Sequence, residues 1–473
     1  MGALDFFVGI TYLVAAIAFV TGLHLMRSPA TARKGSPLSA AGMVLAVAAT
    51  LAKVANDGTI TAAGWGVLFA GGALGSLVGL VSARRIKMTA IPQLVSIFNA
   101  VGGGAAALVA LTDVVRLTEH TSASIGGRAS ITSVLDVVIG AVTFSGSLIA
   151  AGKLQGWVTS RPVVLPGQKL LNGAILLATL GIGSYFMSGA SDTWWLVASL
   201  GGAFVLGITF VMPIGGADMP VVVALLNACT GIAVAMAGFV INSAGLIIAG
   251  ALVGASGGIL TKLMADAMNR SIPAILAGGF GTGDTVLPVP VGATGEIRSI
   301  SVEDAGIQLG YANKVIIVPG YGLAAAQAQH EAAELAEQLE ARGIDVSFAI
   351  HPVAGRMPGH MNVLLAEAHV PYPPLKEMEA VNPEFPSADV ALVVGANDVT
   401  NPAARRPGTL LSGMPILDVD RARSVIVIKR SMGHGYAGID NELYTDPKTG
   451  MLFADAKRAL GELVAAVKEY AAS

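Results

Sequence analysis

Residues 314–325 read KVIIVPGYGLAA. The apolar run from Val315 to Val318 predicts a short buried strand, and the stretch to about residue 341 predicts a helix. Between them Gly320, Gly322 and Ala325 fall in G-x-G-x-x-A spacing. Glycines at such a turn allow a tight reversal, and they let a pyrophosphate approach the N–H groups at a helix N-terminus. In a chain with 59 glycines the bare spacing says little. The strand–turn–helix context is what points to a dinucleotide.

The same alternation continues on the C-terminal side. DVSFAIHP (345–352), VALVVGAN (390–397), PILDV (415–419) and SVIVIKRS (424–431) read as strands. GHMNVLLAEA (359–368) and residues 453–471 read as helices. Apolar strands alternating with helices predict a parallel sheet covered on both faces, a Rossmann-like α/β domain. An acid ending the second strand would suit the free ribose 2′-hydroxyl of NAD. That strand instead runs into IHPVAGRMPG, without an acid. Lys429, Arg430 and Ser431 follow a later strand, and two cations with a hydroxyl suit a 2′-phosphate. NADP is therefore favoured over NAD, although these residues fit a solvated strand end equally well.

Toward the N-terminus the composition changes. The chain has 473 residues, 13% of them charged, against about 25% in soluble proteins. Charges are sparse before residue 270 and ordinary beyond 300. Apolar segments recur at 4–26, 37–55, 61–82, 90–112, 131–152, 170–188, 193–212, 218–241 and 244–268. Each approaches the length that crosses about 30 Å of hydrocarbon. Backbone groups in lipid must be paired within their own segment, so these are predicted to be nine transmembrane helices. Glycine and alanine runs such as VGGGAAALVA (101–110) suit close helix packing. Between the halves, 270–300 is rich in glycine and proline and reads as a linker. The expected domains are 1–269, membrane, and 301–473, nucleotide-binding.

Loop charge predicts orientation. Arg27, Arg33, Lys34, Arg84, Arg85, Lys87, Lys153, Arg161 and Lys169 fall on one side, and Lys53, Arg116 and Arg128 on the other. The first side is cytoplasmic by this reading, so the N-terminus lies outside and the C-terminal domain inside. The first apolar segment lacks a basic leader and reads as a span, not a cleaved signal. Net charge is −2, which gives no reason to expect nucleic acid as a partner, and one cysteine, Cys229, forms no internal disulfide. Asn99, Asp136, Asp218 and Asn227 are the polar residues within or beside spans. They read either as a pathway or as inter-helix bonds and helix-start carboxylates. Asp218 and Asn227 lie about 13 Å apart along a helix, on roughly opposite faces, so they need not line one channel.

The motifs PGYGLAAAQAQH, IHPVAGRMPGHMNVLLAEA, VVGANDVTNPAA and IKRSMGHGYAG, with GGADMPVVVALLNACTG in the membrane half, resemble the proton-translocating NAD(P) transhydrogenases. The resemblance covers essentially the whole chain and is to the beta subunit. It implies hydride transfer from NADH to NADP⁺ coupled to inward proton movement across a bacterial inner membrane. NADP(H) would be bound by this chain. NAD(H) would be bound by one or more alpha subunits, in a dimer of heteromers within the lipid. No metal is implied.

By resemblance, Gly320, Tyr321 and Gly322 line the pyrophosphate and nicotinamide region. Val353, Ala354, Gly355, Arg356, Met357 and Pro358 form a loop against the nucleotide. Gly395, Ala396, Asn397, Asp398 and Val399 form another, with Asp398 near the nicotinamide. Lys429 and Arg430 hold the 2′-phosphate. Ser431, Met432, Gly433, His434, Gly435 and Tyr436 close over the nucleotide, and Asp455 and Ala456 also contact it. Asn99 and Asn227 match the proton path, with Asp218 at its cytoplasmic mouth and Asp136 at a place where the family can carry an acid. Some members have a histidine where this chain has Asn99. Asparagine does not titrate, so by this resemblance the titrating group is water-mediated or comes from a helix of a partner chain. Two rivals are weighed against this reading. A transporter with an NADP-sensing domain would do no hydride chemistry. A membrane-anchored NADPH dehydrogenase would need a flavin or quinone site, for which no motif is present.

Overall fold

The computed structural model describes the chain apart from residues 1–2, 27–28, 59, 121–126, 160–161, 189–192, 217, 269–270, 277–295, 356–358, 408, 410, 434, 436, 438 and 473. It divides into two compact units, Met1–Pro213 with Val222–Thr261, and Ile214–Val221 with Lys262–Ser473.

Among the described residues, nine helices are long and apolar enough to cross a membrane. They are α1 (Ala3–Leu25), α2 (Pro29–Asp57), α3 (Ala62–Arg85), α4 (Ile91–His120), α5 (Gly127–Gln155), α6 (Gln168–Met187), α7 (Trp194–Val211), α8 (Met219–Val240) and α9 (Ala244–Ala267). Every expected span is present, and α2, α4 and α5 run longer than their apolar segments. Large apolar side chains such as Phe7, Val67 and Leu177 lie exposed on these helices. A water-soluble surface seldom carries so much contiguous apolar area. This is the architecture of a multi-pass membrane protein with a soluble C-terminal domain.

Glycine sets how closely the helices approach. A methyl group built on Gly140 of α5 would lie 2.5 Å from the Gly103 carbonyl of α4. One built on Gly207 of α7 would lie 2.5 Å from the Val142 carbonyl of α5, and one on Gly231 of α8 would collide with the backbone nitrogen of Gly254 in α9. With lipid as apolar as leucine, such backbone contact is what holds helices together. Ala110, Val114, Val134, Val137, Phe186, Leu196 and Ala203 form a buried cluster contributed by α4, α5, α6 and α7. Helix α3 is different. None of its residues is buried, and nothing lies within 4 Å of a methyl placed on Gly66, Gly71, Gly72, Gly75 or Gly79.

In the second unit, α10 (Ile272–Leu276) and α11 (Val302–Gly310) precede a six-stranded sheet. Its strands are β1 (Lys314–Pro319), β2 (Asp345–Ile350), β3 (Leu375–Glu377), β4 (Val390–Val394), β5 (Ser424–Lys429) and β6 (Thr449–Phe453). The order is β3-β2-β1-β4-β5-β6, and every pairing is parallel. Strand order reverses between β1 and β4, the point where open α/β sheets place their ligands. The remaining helices are α12 (Tyr321–Ala326), α13 (Gln329–Glu340), α14 (His360–Glu367), α15 (Met378–Val381) and α16 (Ala456–Ala472). Val315–Val318, Leu392–Val394 and Val425–Val427 are fully buried, as a sheet covered on both faces requires.

PILDV, expected as a strand, is not one. Pro415 brings no N–H, and the backbone there is satisfied sideways. Asn382 bonds the Ile416 carbonyl and the Asp418 N–H, Leu417 N bonds Val399 O, and the Pro415 carbonyl meets His351. The edge strands β3 and β6 carry no legible signal, because β3 is three residues long with two of them charged and β6 opens on Thr449 and Gly450. The helix after β1 is also broken. Gln327 takes a left-handed φ of 52°, dividing α12 from α13.

Gly140→Ala is expected to lower the thermal midpoint of the detergent-solubilised chain, at a cost of about 1–3 kcal/mol from overpacking. Gly71→Ala on bare α3 is expected to leave it unchanged or slightly raised. Equal effects of the two would contradict this packing.

Candidate functional site

Five chain segments leave the carboxyl ends of the parallel strands and surround a cleft of about 480 Å³. After β1 come Gly320, Tyr321, Gly322 and Ala326. After β2 come Val353, Ala354 and Gly355, and after β4 come Gly395 to Val399. From β5 come Ile428, Lys429, Arg430, Ser431, Gly433 and Gly435, and from β6 Ala454, Asp455 and Ala456. The volume lies within the usual range for a cofactor pocket.

The first turn is built by backbone crossing backbone. Gly320 N donates to the Val394 carbonyl and Gly322 N to the Gly395 carbonyl, both at 2.9 Å. A methyl on Gly322 would lie 2.6 Å from Gly395 Cα, and one on Gly395 would collide with Gly322 Cα. Gly395 has φ 67°, which glycine adopts without strain. The glycines therefore bring the exits of β1 and β4 into contact. Ala325, the last residue of the motif, is exposed and does not line the cleft, whereas its neighbour Ala326 does.

Asp398 holds the opposite loop. Its Oδ2 accepts from Ala437 N at 3.0 Å, and a methyl on Gly435 would collide with its Oδ1. Lys429 Nζ donates to the Gly433 carbonyl at 2.6 Å and lies 4.5 Å above the ring of Tyr444. Burial lowers the Lys429 pKa, with Asp398 and Asp440 acting in the opposite sense. Arg430 and Ser431 are exposed beside it. Met432 is 38% exposed and stands outside the lining. Asp455 also has a local task, accepting from Lys457 N at 3.1 Å at the start of α16. Arg356, Met357, Pro358, His434 and Tyr436 lie outside the described residues.

The cleft fits the nucleotide read from the motifs. It offers a glycine cradle where side chains would clash and two cations at the end of β5, Lys429 and Arg430. Sequence reasoning passes over Ala326, Ile428 and Ala454, which carry no chemical label, and two buried polar residues. Tyr444 donates from its hydroxyl to Asn397 Oδ1 at 3.0 Å. His351, inside a motif but unassigned, is 1% exposed. Its Nδ1 accepts from Val353 N at 3.2 Å, so Nε2 carries the proton and donates to the Pro415 carbonyl at 2.8 Å. The ring thus pins the β2 loop at the cleft.

In the membrane unit, Asn99 is buried in α4, and its Nδ2 donates to the Val223 carbonyl of α8 at 3.2 Å. The Asn99 carbonyl accepts from Thr230 Oγ1 at 3.3 Å. Val223, Asn227 and Thr230 are spaced four and three apart, so Asn227 shares the face of α8 that meets Asn99. An inter-helix hydrogen bond in lipid contributes about 0.6 kcal/mol, so this contact positions the helices more than it anchors them.

Asp136 stands apart from that pair. It is fully buried in α5, and neither carboxylate oxygen has a hydrogen-bond partner among the described residues. Gly140, one turn along, packs on Gly103 and Ala107, which puts Asp136 about 15 Å along the bundle from Asn99. Asp218, buried just before α8, has its N–H on the Gly215 carbonyl at 3.2 Å. Lys153, counted with the loop cations, instead lies inside α5. It is 1% exposed, with Nζ 2.5 Å from the Met212 carbonyl at the end of α7. No cluster of three or more metal-ligating side chains occurs among the described residues.

Burial pushes His351 down to about 4, against the pull of the Pro415 carbonyl and Glu379. Its contribution to stability is therefore complete above about 6.5 and falls away as pH drops toward about 4, by about 1.4 kcal/mol per unit. The thermal midpoint of the full chain should fall across that window, and more shallowly in His351→Gln. Parallel pH profiles would contradict this.

Comparison with known proteins covers nearly the whole chain. Residues 8–466 match the family model described as NAD(P) transhydrogenase beta subunit. The NAD(P) transhydrogenase subunit beta of Rhodospirillum rubrum is 46% identical over 462 residues, 96% of this chain and 98% of the relative. A chain of the same description from one strain of that species matches to the same extent. The chain is a member of the NAD(P) transhydrogenase beta subunit family.

Proposed function

We propose that this chain binds NADP(H) in the cleft between β1 and β4 and couples hydride exchange with NAD(H), held by an alpha partner, to inward proton movement. The observation that carries this reading is the placing of the Gly320–Gly322 turn opposite Lys429, Arg430 and Ser431 around one cleft. When bound, NADP(H) supplies or accepts the hydride, so the protein needs no acid, base or nucleophile for that step. The chain's residues bind and orient. Lys429 and Arg430 hold the 2′-phosphate, the Gly320–Gly322 turn admits the pyrophosphate, and Asp398 holds Gly435 and Ala437 beside it. NAD(H) has no second fingerprint in this chain and belongs to the partner, in a dimer of heteromers.

The C-terminal unit is read as cytoplasmic and the N-terminus as outside, on loop charge. Asn99 and Asn227 sit on the path with Asp218 at its inner mouth. Asn99 cannot titrate, so Asp136 is the group proposed to bind the proton. Each charge crossing 100 mV contributes about 2.3 kcal/mol, roughly a fifty-fold bias toward NADPH. Asp398, which holds a loop at the cleft, is the residue proposed to report nucleotide state to the membrane unit.

Proteoliposomes holding this chain and its alpha partner test the reading, with hydride transfer and lumenal pH followed together. Asp398→Asn is expected to impair both at once, and loss of one alone would contradict coupling through that residue. Asp136→Asn is expected to abolish proton movement while NADP⁺ still binds. Undiminished pumping would move the titrating group to a partner helix. Transport of another solute without hydride transfer would favour a transporter with a sensing domain.

A further inference from the structure

Tyr444 does not line the cleft, yet it touches two of the segments that do. It is 2% exposed, within the stretch that connects Ile439 to β6. Its ring face lies under the Lys429 ammonium at 4.5 Å. Its hydroxyl donates to Asn397 Oδ1 at 3.0 Å, with the Ala396 carbonyl close by at 3.2 Å. Asn441, three residues earlier, reinforces the contact, its Nδ2 reaching the Asn397 carbonyl at 3.0 Å. One side chain therefore spans from the cation that ends β5 to the turn that carries Asp398.

A lysine ammonium is a point charge on a flexible stem and finds many poses. Here the ring face below and the Gly433 carbonyl beside it restrict those poses. An ammonium over an aromatic face is attracted to it, more strongly where water is displaced. Lys429 is half-buried, which meets that condition in part. A tyrosine buried only to fill the core would have no reason to set its face under a lysine of the cleft.

We infer that Tyr444 is a positioning residue that sets the preference for the 2′-phosphorylated nucleotide. Its ring poises the Lys429 ammonium, and its hydroxyl fixes the Asn397–Asp398 turn relative to that cation. The inference rests on the NADP(H) reading of the cleft. Through Tyr444, the position of the phosphate-binding cation and the position of the Asp398 turn are held as one body.

The test is a series at position 444 in the full chain in lipid nanodiscs, with NADP⁺ and NAD⁺ affinities measured by calorimetry. Tyr444→Phe keeps the ring and is expected to keep the NADP⁺ preference. Ring-fluorinated phenylalanines at the same position keep the shape but weaken the face. They should erode the preference stepwise, by up to about tenfold, with NAD⁺ affinity unchanged. A preference flat across the fluorinated series, or equal losses for both nucleotides, would overturn the inference. With the alpha partner present, Tyr444→Phe should slow hydride exchange at saturating NADP⁺ by about threefold to tenfold, as for one lost hydrogen bond. Undiminished exchange would overturn the part given to the hydroxyl. A wild-type chain without NADP⁺ preference would instead refute the cofactor reading, a separate outcome.

Discussion

Gly322 and Gly395 meet backbone to backbone, and the cleft exists because they do. The exits of β1 and β4 diverge in any parallel sheet whose order reverses at that point. Here two N–H groups, those of Gly320 and Gly322, reach across to the carbonyls of Val394 and Gly395 and draw the exits together. A side chain at either glycine would push them apart. With them joined, the segments after β2, β5 and β6 close round a common space. The membrane unit depends on the same physical economy, since Gly103 with Gly140 and Gly231 with Gly254 do for helices what Gly322 and Gly395 do for strand exits.

The cleft is held as much by its own polar groups as by packing. Asp398 accepts from Ala437, Lys429 bonds Gly433, and Tyr444 joins the two sides. Each contact ties together parts of the cleft wall that are separate along the chain. A change at one segment therefore has a short physical route to the others. His351 performs the parallel task for the β2 loop, as a neutral ring with its tautomer set by one donor and one acceptor.

Much of this is legible in the sequence, and the reasons differ by element. The nine spans are plain because lipid demands long apolar runs, a signal that no local chemistry can hide. Strands β1, β2, β4 and β5 are plain because burial on both faces leaves near-continuous apolar residues. PILDV misleads because it has a strand's composition, while its backbone partners are a distant asparagine, a histidine and a loop. The motif glycines speak for the ligand, and their contact with Gly395 cannot be seen without a fold. Lys153 passes for a loop cation because its position near the end of an apolar segment says nothing of burial. Tyr444 carries no signal at all, since a tyrosine between Glu442 and Asp446 looks like surface.

Helix α3 buries none of its residues. A helix that buries none of its residues against the described chain must partition into the bilayer largely on its own hydropathy. Its apolar window has a mean hydropathy of 1.8, similar to spans that have neighbours. For a packed span, a polar residue can be sheltered by the bundle after insertion. For α3 the described residues offer no buried position, so the full cost of about 2.5–3.5 kcal/mol for a central arginine falls on the insertion step itself. Its apolar composition is thus set by the moment of leaving the translocon, where the other eight helices answer also to one another.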